Sequence, residues 1–222
     1  MILVVLNQDT AHFNMLEQQV RPTDISDKRV LDALRHLKRV DFIDAELAGL
    51  ACADTALPIG YGQTMLPPIL QSKMLQALAV QGDECVLEIG TGTGYFTALL
   101  AMLARRVETV EIVPELTAMA EKNLKACDIH NVTCHTGDAS AQWSCDDRVD
   151  VIVSTAAFVS IPDAFLQQLQ VGGRMMAIVG EGMTMEVQLV KRVAERGWQT
   201  DVVLETAAPA VINAEPKPEF EF

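Results

Sequence analysis

The stretch CVLEIGTGTGYF, residues 85–96, decides how the rest of the 222-residue chain is read. CVLEI is a short apolar run suited to a buried strand. GTGTG is a turn built on glycines 90, 92 and 94, and YFTALLAMLA, starting at Tyr95, has the apolar content of a buried helix. Strand, glycine-rich turn and helix open a nucleotide-type α/β unit, because glycine lets the backbone turn tightly and approach a ligand with no Cβ in the way. Many nucleotide binders share that much. The dinucleotide fingerprint would place its third glycine at position 95, where this chain has Tyr95.

Downstream, the rhythm of strand, turn and helix repeats. VETVEI reads as a strand, Pro114 opens the helix ELTAMAEKNLKA, and NVTCHTG, VDVIVST and GRMMAIVG read as strands, with PDAFLQQLQ as a helix before the last. Parallel strands joined by helices of this length form a doubly wound, Rossmann-like α/β sheet. MTMEVQLVKRVAE and WQTDVVLETAAPAV carry no helix between them, so the sheet is expected to finish in antiparallel strands. Upstream of Gln81 the pattern is helical and irregular. Val30, Leu31, Leu34, Leu37 and Val40 predict a buried helical face between Asp27 and Asp41, and PPILQSKMLQALAV predicts a second helix opened by proline. The expected division is a helical segment with a loop over 1–80, an α/β core over 81–210 and an extended tail over 211–222.

Composition bounds the partners. Lys+Arg total 17 against 30 Asp+Glu, a net charge of −13, so the surface repels phosphate backbones and nucleic-acid binding is not expected. The five cysteines are odd in number and form no C-x-x-C pair, which predicts reduced thiols in a cytoplasmic protein. MILVVL at the start is too short for a signal core or a membrane span and reads as an extra strand or a frayed start. Cys127, His130, Cys134 and His135 lie close together, but a strand NVTCH sends Cys134 and His135 to opposite faces, so no metal site is expected.

An acid two residues before the first glycine, followed by G-x-G-x-G, resembles motif I of class I S-adenosylmethionine-dependent methyltransferases. The resemblance implies S-adenosyl-L-methionine as cofactor, and the chemistry agrees. That molecule has no pyrophosphate, and its ammonium and sulfonium favour carboxylates and carbonyls over Arg or Lys. No basic residue occurs between Gly82 and Ala104. Glu111 closes the second strand, where an acid can accept both ribose hydroxyls, and Asp138 follows the third, where the family places an acid against the adenine amino group. Taken singly, Glu111 reads as a solvated carboxylate near a helix start and Asp138 as a turn residue. Three acids in register on three successive strands favour a cofactor site, composed of Glu88, Gly90, Thr91, Gly92, Gly94, Glu111, Ile112, Asp138 and Ala139.

From Arg21 to about Val190 the chain resembles a protein-L-isoaspartate O-methyltransferase. LPIGYGQT (57–64), VLEIGTGTGY (86–95), GD (137–138), STAA (154–157) and IP-x(5)-QL-x(2)-GGR (161–174) carry the likeness, the first most specifically. The resemblance implies methyl transfer to an isoaspartyl carboxylate of a peptide or protein, with Gln63, Thr64, Met65 and Leu66 forming a substrate loop whose apolar tip covers the cofactor. Leu66 stands where the family has a serine with an active-site role, Ala139 where it usually has glycine, and Ile178 where proline is common. Catalytic residues are therefore not assigned. Two alternatives stay open: a methyltransferase of the same build with a different small-molecule or peptide acceptor, and a non-catalytic cofactor-binding module.

Overall fold

The computed structural model describes residues 7–145, 149–182 and 184–215. The segment MILVVL and the tail beyond residue 215 lie outside the described residues. A seven-stranded sheet carries the molecule: β3 (Cys85–Ile89), β4 (Arg106–Glu111), β5 (Val132–Thr136), β6 (Val149–Phe158), β7 (Leu169–Glu181), β8 (Thr184–Ala194) and β9 (Gly197–Thr206). Their spatial order is β5-β4-β3-β6-β7-β8-β9. The first five are parallel, and β8 and β9 add antiparallel. The chain moves outward from β3 to β5 and then returns to the other side of β3 with β6. That reversal opens a crevice at the carboxyl ends of β3 and β6, where ligands bind in sheets of this kind.

Residues on the two faces of β3 divide the core. Val86 packs with helices α2 (Lys28–His36), α3 (Pro68–Leu78), α4 (Tyr95–Leu103) and α5 (Pro114–Ala126), while Leu87 and Ile89 pack with Phe158 and Phe165 on the opposite face. Gly94 lets α4 sit close to α5. Its φ is +89°, and a Cβ there would lie 3.2 Å from the Ala120 backbone. Arg174 joins the N-terminal segment to the core, with a two-pronged ion pair to Glu84 (2.7 and 2.8 Å) and a further bond to the Ala79 carbonyl.

The N-terminal helices depart from simple periodicity in one respect. The expected helix from Asp27 to Asp41 stops at His36: Leu37 and Lys38 are extended, and a single 3₁₀ turn covers Arg39–Phe42. This break turns Arg39 inward and buries it completely. A second departure concerns the loop at residues 60–66. Leu57–Gly60 and Gln63–Met65 form a two-stranded hairpin, β1 and β2, closed by Tyr61 and Gly62, both at positive φ as in a type I′ turn. The tip is therefore Tyr61–Gly62. Met65 and Leu66 lie at the base of the hairpin, buried at 5% and 3% exposure, because Met65 pairs with Leu57 and Pro68 starts α3 immediately behind them.

Candidate cofactor and acceptor site

A cavity of about 830 Å³, counting its mouth, opens above the carboxyl ends of β3, β4 and β6. That size suits a drug-sized ligand. The glycine loop forms one wall through Gly90, Thr91, Gly92 and Thr93. Glu111 and Ile112 come from the end of β4, Gly137, Asp138 and Ala139 follow β5, and Gln63–Leu66 face them from the hairpin. Hairpin and loop come close at Gly92: a Cβ there would stand 3.0 Å from Ile59 Cδ1. The two motifs expected to hold donor and acceptor thus share one cavity.

The acids differ in their surroundings. Glu111 is nearly buried, and its carboxylate accepts from the backbone N–H of Gly92 (2.9 Å) and of Val113 (3.1 Å). Asp138 is exposed and accepts from Ser140 N–H (2.8 Å) and Asn213 Nδ2 (2.9 Å), bonds that hold its carboxyl below the usual range. Glu88 and Gly94 are the two proposed cofactor residues that do not line the cavity. Gly94 spaces the helices. Glu88 points to the α4 face of the sheet, where its Oε2 accepts from Thr97 (2.5 Å) and Thr109 (2.7 Å), and Thr109 contacts Thr91 in the glycine loop (2.6 Å). Its contribution is to brace the loop from beneath.

Burial pushes the Glu88 carboxyl up to about 8, against two threonine hydrogen bonds that favour the anion. A carboxyl raised above its unfolded value near 4.5 binds an extra proton in the folded state, so it favours folding fully below that value. The contribution falls as pH rises from about 4.5 to about 8. Glu88→Gln, a neutral isostere, should remove that part of the decline. Melting temperatures of both proteins between pH 5 and 8.5 provide the check, and parallel curves would show that Glu88 does not titrate in this window.

Reading along the strands missed several contributors. Pro209–Ile212 line the cavity because the chain returns beside β6, with Ala157 N–H bonding Pro209 O and Val211 N–H bonding Ala157 O, both at 2.8 Å. Tyr95 and Gln71 also line it. No local pattern signals the returning segment. Gln71, by contrast, stands on the same face of α3 as Met74, Leu75 and Leu78, a polar residue among apolar ones that could have marked it. Cys134 packs toward the core, its thiol pushed up to about 11 by burial, while His135 lies against Trp143 on the other face. Among the described residues no group of three or more His, Cys, Asp or Glu is placed to hold a metal ion, and no helix is long and apolar enough to cross a membrane.

The family model for protein-L-isoaspartate(D-aspartate) O-methyltransferase matches residues 10–211. The chain belongs to that family. Proteins named protein-L-isoaspartate O-methyltransferase include one from Myxococcus xanthus, 45% identical over 174 residues, covering 78% of this chain and 82% of that protein. One from Vibrio campbellii is 42% identical, with 79% and 82% covered. Among solved structures, a Plasmodium falciparum isoaspartate methyltransferase in complex with S-adenosyl-L-homocysteine superposes with a TM-score of 0.78 at 17% identity, covering 92% of this chain and 98% of that one. At that identity the likeness speaks for the fold, including the family's N-terminal helical segment on a methyltransferase sheet.

Proposed function

We propose that the protein is an S-adenosylmethionine-dependent carboxyl O-methyltransferase acting on isoaspartyl residues of peptides or proteins. The observation that carries the proposal is the shared cavity, with the glycine loop, Glu111 and Asp138 on one side and Gln63–Leu66 of the hairpin on the other, in a chain whose residues 10–211 match the family model. Its chemistry fits the donor. Among the described residues lining it there are two carboxylates, Glu111 and Asp138, and no Lys, Arg or His, an arrangement suited to a molecule carrying an ammonium and a sulfonium.

When bound, S-adenosylmethionine supplies an electrophilic methyl group on a positively charged sulfur. In our reading Glu111 would accept hydrogen bonds from the ribose hydroxyls, Asp138 would accept one from the adenine amino group, and Gly90–Thr93 would line the donor's site. Gln63–Leu66 cover the reacting end and keep water out, which strengthens the electrostatics inside and holds acceptor and donor in line. The acceptor carboxylate is already ionised at pH 7, since such groups titrate near 4, so attack needs no general base. The residues that matter are those that position it.

Incubation with methyl-labelled S-adenosylmethionine tests the reading. An isoaspartyl peptide should gain base-labile label and its normal aspartyl counterpart should gain none. Label on neither, from a folded protein that binds S-adenosylhomocysteine, would exclude this acceptor.

A further inference from the structure

With no basic side chain in the cavity lining, the site holds nothing obvious for a negatively charged acceptor. The answer lies one hydrogen bond behind the wall. Arg39 is among the largest fully buried side chains of the described residues; none of the described acids forms an ion pair with it, and Asp54 favours its charged form only from a distance. It donates from Nε to Ala51 O (2.9 Å) and from Nη1 to Gln71 Oε1 (2.5 Å), and its guanidinium lies 5.3 Å from the centre of the Tyr95 ring. Nη2 has no partner among the described residues. A buried cation left this way is costly unless negative charge comes close.

Gln71 links that cation to the cavity, which it lines. Arginine has only donors, so the bond from Arg39 decides which way the Gln71 amide faces: oxygen toward Arg39, Nε2 away from it. That nitrogen donates to no other described residue. Tyr95 and Thr64 also line the cavity, and their hydroxyls are buried without partners among the described residues. Buried polar atoms are ordinarily satisfied, so unpartnered ones on residues that line one cavity point to a polar ligand beside them. Leu66, at the family's serine position, supplies no hydroxyl there.

We infer that Gln71 holds the acceptor carboxylate through its amide Nε2, with Arg39 as the positioning residue that orients the amide and places a buried positive charge behind it. The inference rests on the isoaspartyl reading above. The serine's orienting function is thereby moved to the first turn of α3, five residues along the chain.

Two substitutions separate this from a structural role. Gln71→Met removes the donor and keeps the volume. It should raise KM for an isoaspartyl peptide about tenfold or more, as expected when one hydrogen bond to a charged group is lost, with a smaller change in kcat. Gln71→Glu makes the opposite discrimination. A glutamate would pair with Arg39, so a purely structural position should keep or gain both thermal stability and activity. If Gln71 binds the acceptor, one carboxylate now faces another and kcat/KM should fall about a hundredfold or more, with the melting temperature at or above wild type. Affinity for S-adenosylhomocysteine, read by calorimetry, should change less than about twofold in either variant. A Gln71→Glu protein with wild-type kcat/KM, or a loss confined to cofactor affinity or matched by lost stability, overturns the assignment alone. A wild-type protein inactive on isoaspartyl peptides overturns the acceptor reading and this inference with it.

Discussion

Glu111→Ala should weaken S-adenosylhomocysteine binding about ten- to a hundredfold. In the proposed complex two ribose hydroxyls donate to this carboxylate, and losing them together should cost about 1.5–3 kcal/mol, the net value of hydrogen bonding to a charged group. The residue is 6% exposed and also accepts from Gly92 and Val113, so its removal loosens the glycine loop as well. Both effects act in the same direction. Titration calorimetry on folded variant and wild type measures the change, and Glu111→Gln should fall between them because an amide keeps one acceptor oxygen. Unchanged affinity in Glu111→Ala would remove the ribose from this position.

Leu66→Ser carries the second large effect, and it acts on two quantities. The side chain is 3% exposed and belongs to the main core cluster, so replacing it by a small polar group should cost about 2–4 kcal/mol of stability. Against that loss, a hydroxyl at the hairpin base gives an isoaspartyl acceptor another donor. Its methylation should rise, by no more than about a hundredfold, since a single oriented hydrogen bond is worth a few kcal/mol at most. Assays therefore belong well below the variant's melting temperature. If the physiological acceptor is more apolar, the same substitution lowers activity on it, because polar area replaces a matched apolar wall. The opposite signs distinguish the two acceptors. Wild-type rates on the isoaspartyl peptide would show that Leu66 does not touch it.

Much of this site was legible because its signals are local. A strand of five residues followed by GTGTG could only be a turn at the carboxyl edge of a sheet, and acids spaced by whole βα units had to return to that edge. What linear spacing could not tell is the face each residue takes. Glu88 alternates with Leu87 and Ile89 and so projects toward α4, beneath the loop it was expected to join at the ligand. The hairpin turn was visible in GYG, yet Met65 and Leu66 were placed at its tip, because only the pairing of Met65 with Leu57 reveals where the second strand ends. Arg39 lay on the polar side of a helix that the chain breaks at Leu37, and no propensity signals that break strongly. Pro209–Ile212 reach the cavity through pairing with Ala157, some fifty residues away, information that resides in the sheet and not in the segment.

The central claim is that this cavity brings S-adenosylmethionine and an isoaspartyl carboxylate together. It is tested most directly by kcat/KM for methyl transfer to an isoaspartyl peptide against the same peptide with normal aspartate. A site that positions the acceptor by its carboxylate and hairpin contacts should favour the isoaspartyl form by about a hundredfold or more, the discrimination expected when a misplaced acceptor leaves buried polar groups unpaired. Equal rates on the two peptides, or transfer only to a non-peptide acceptor, would contradict it.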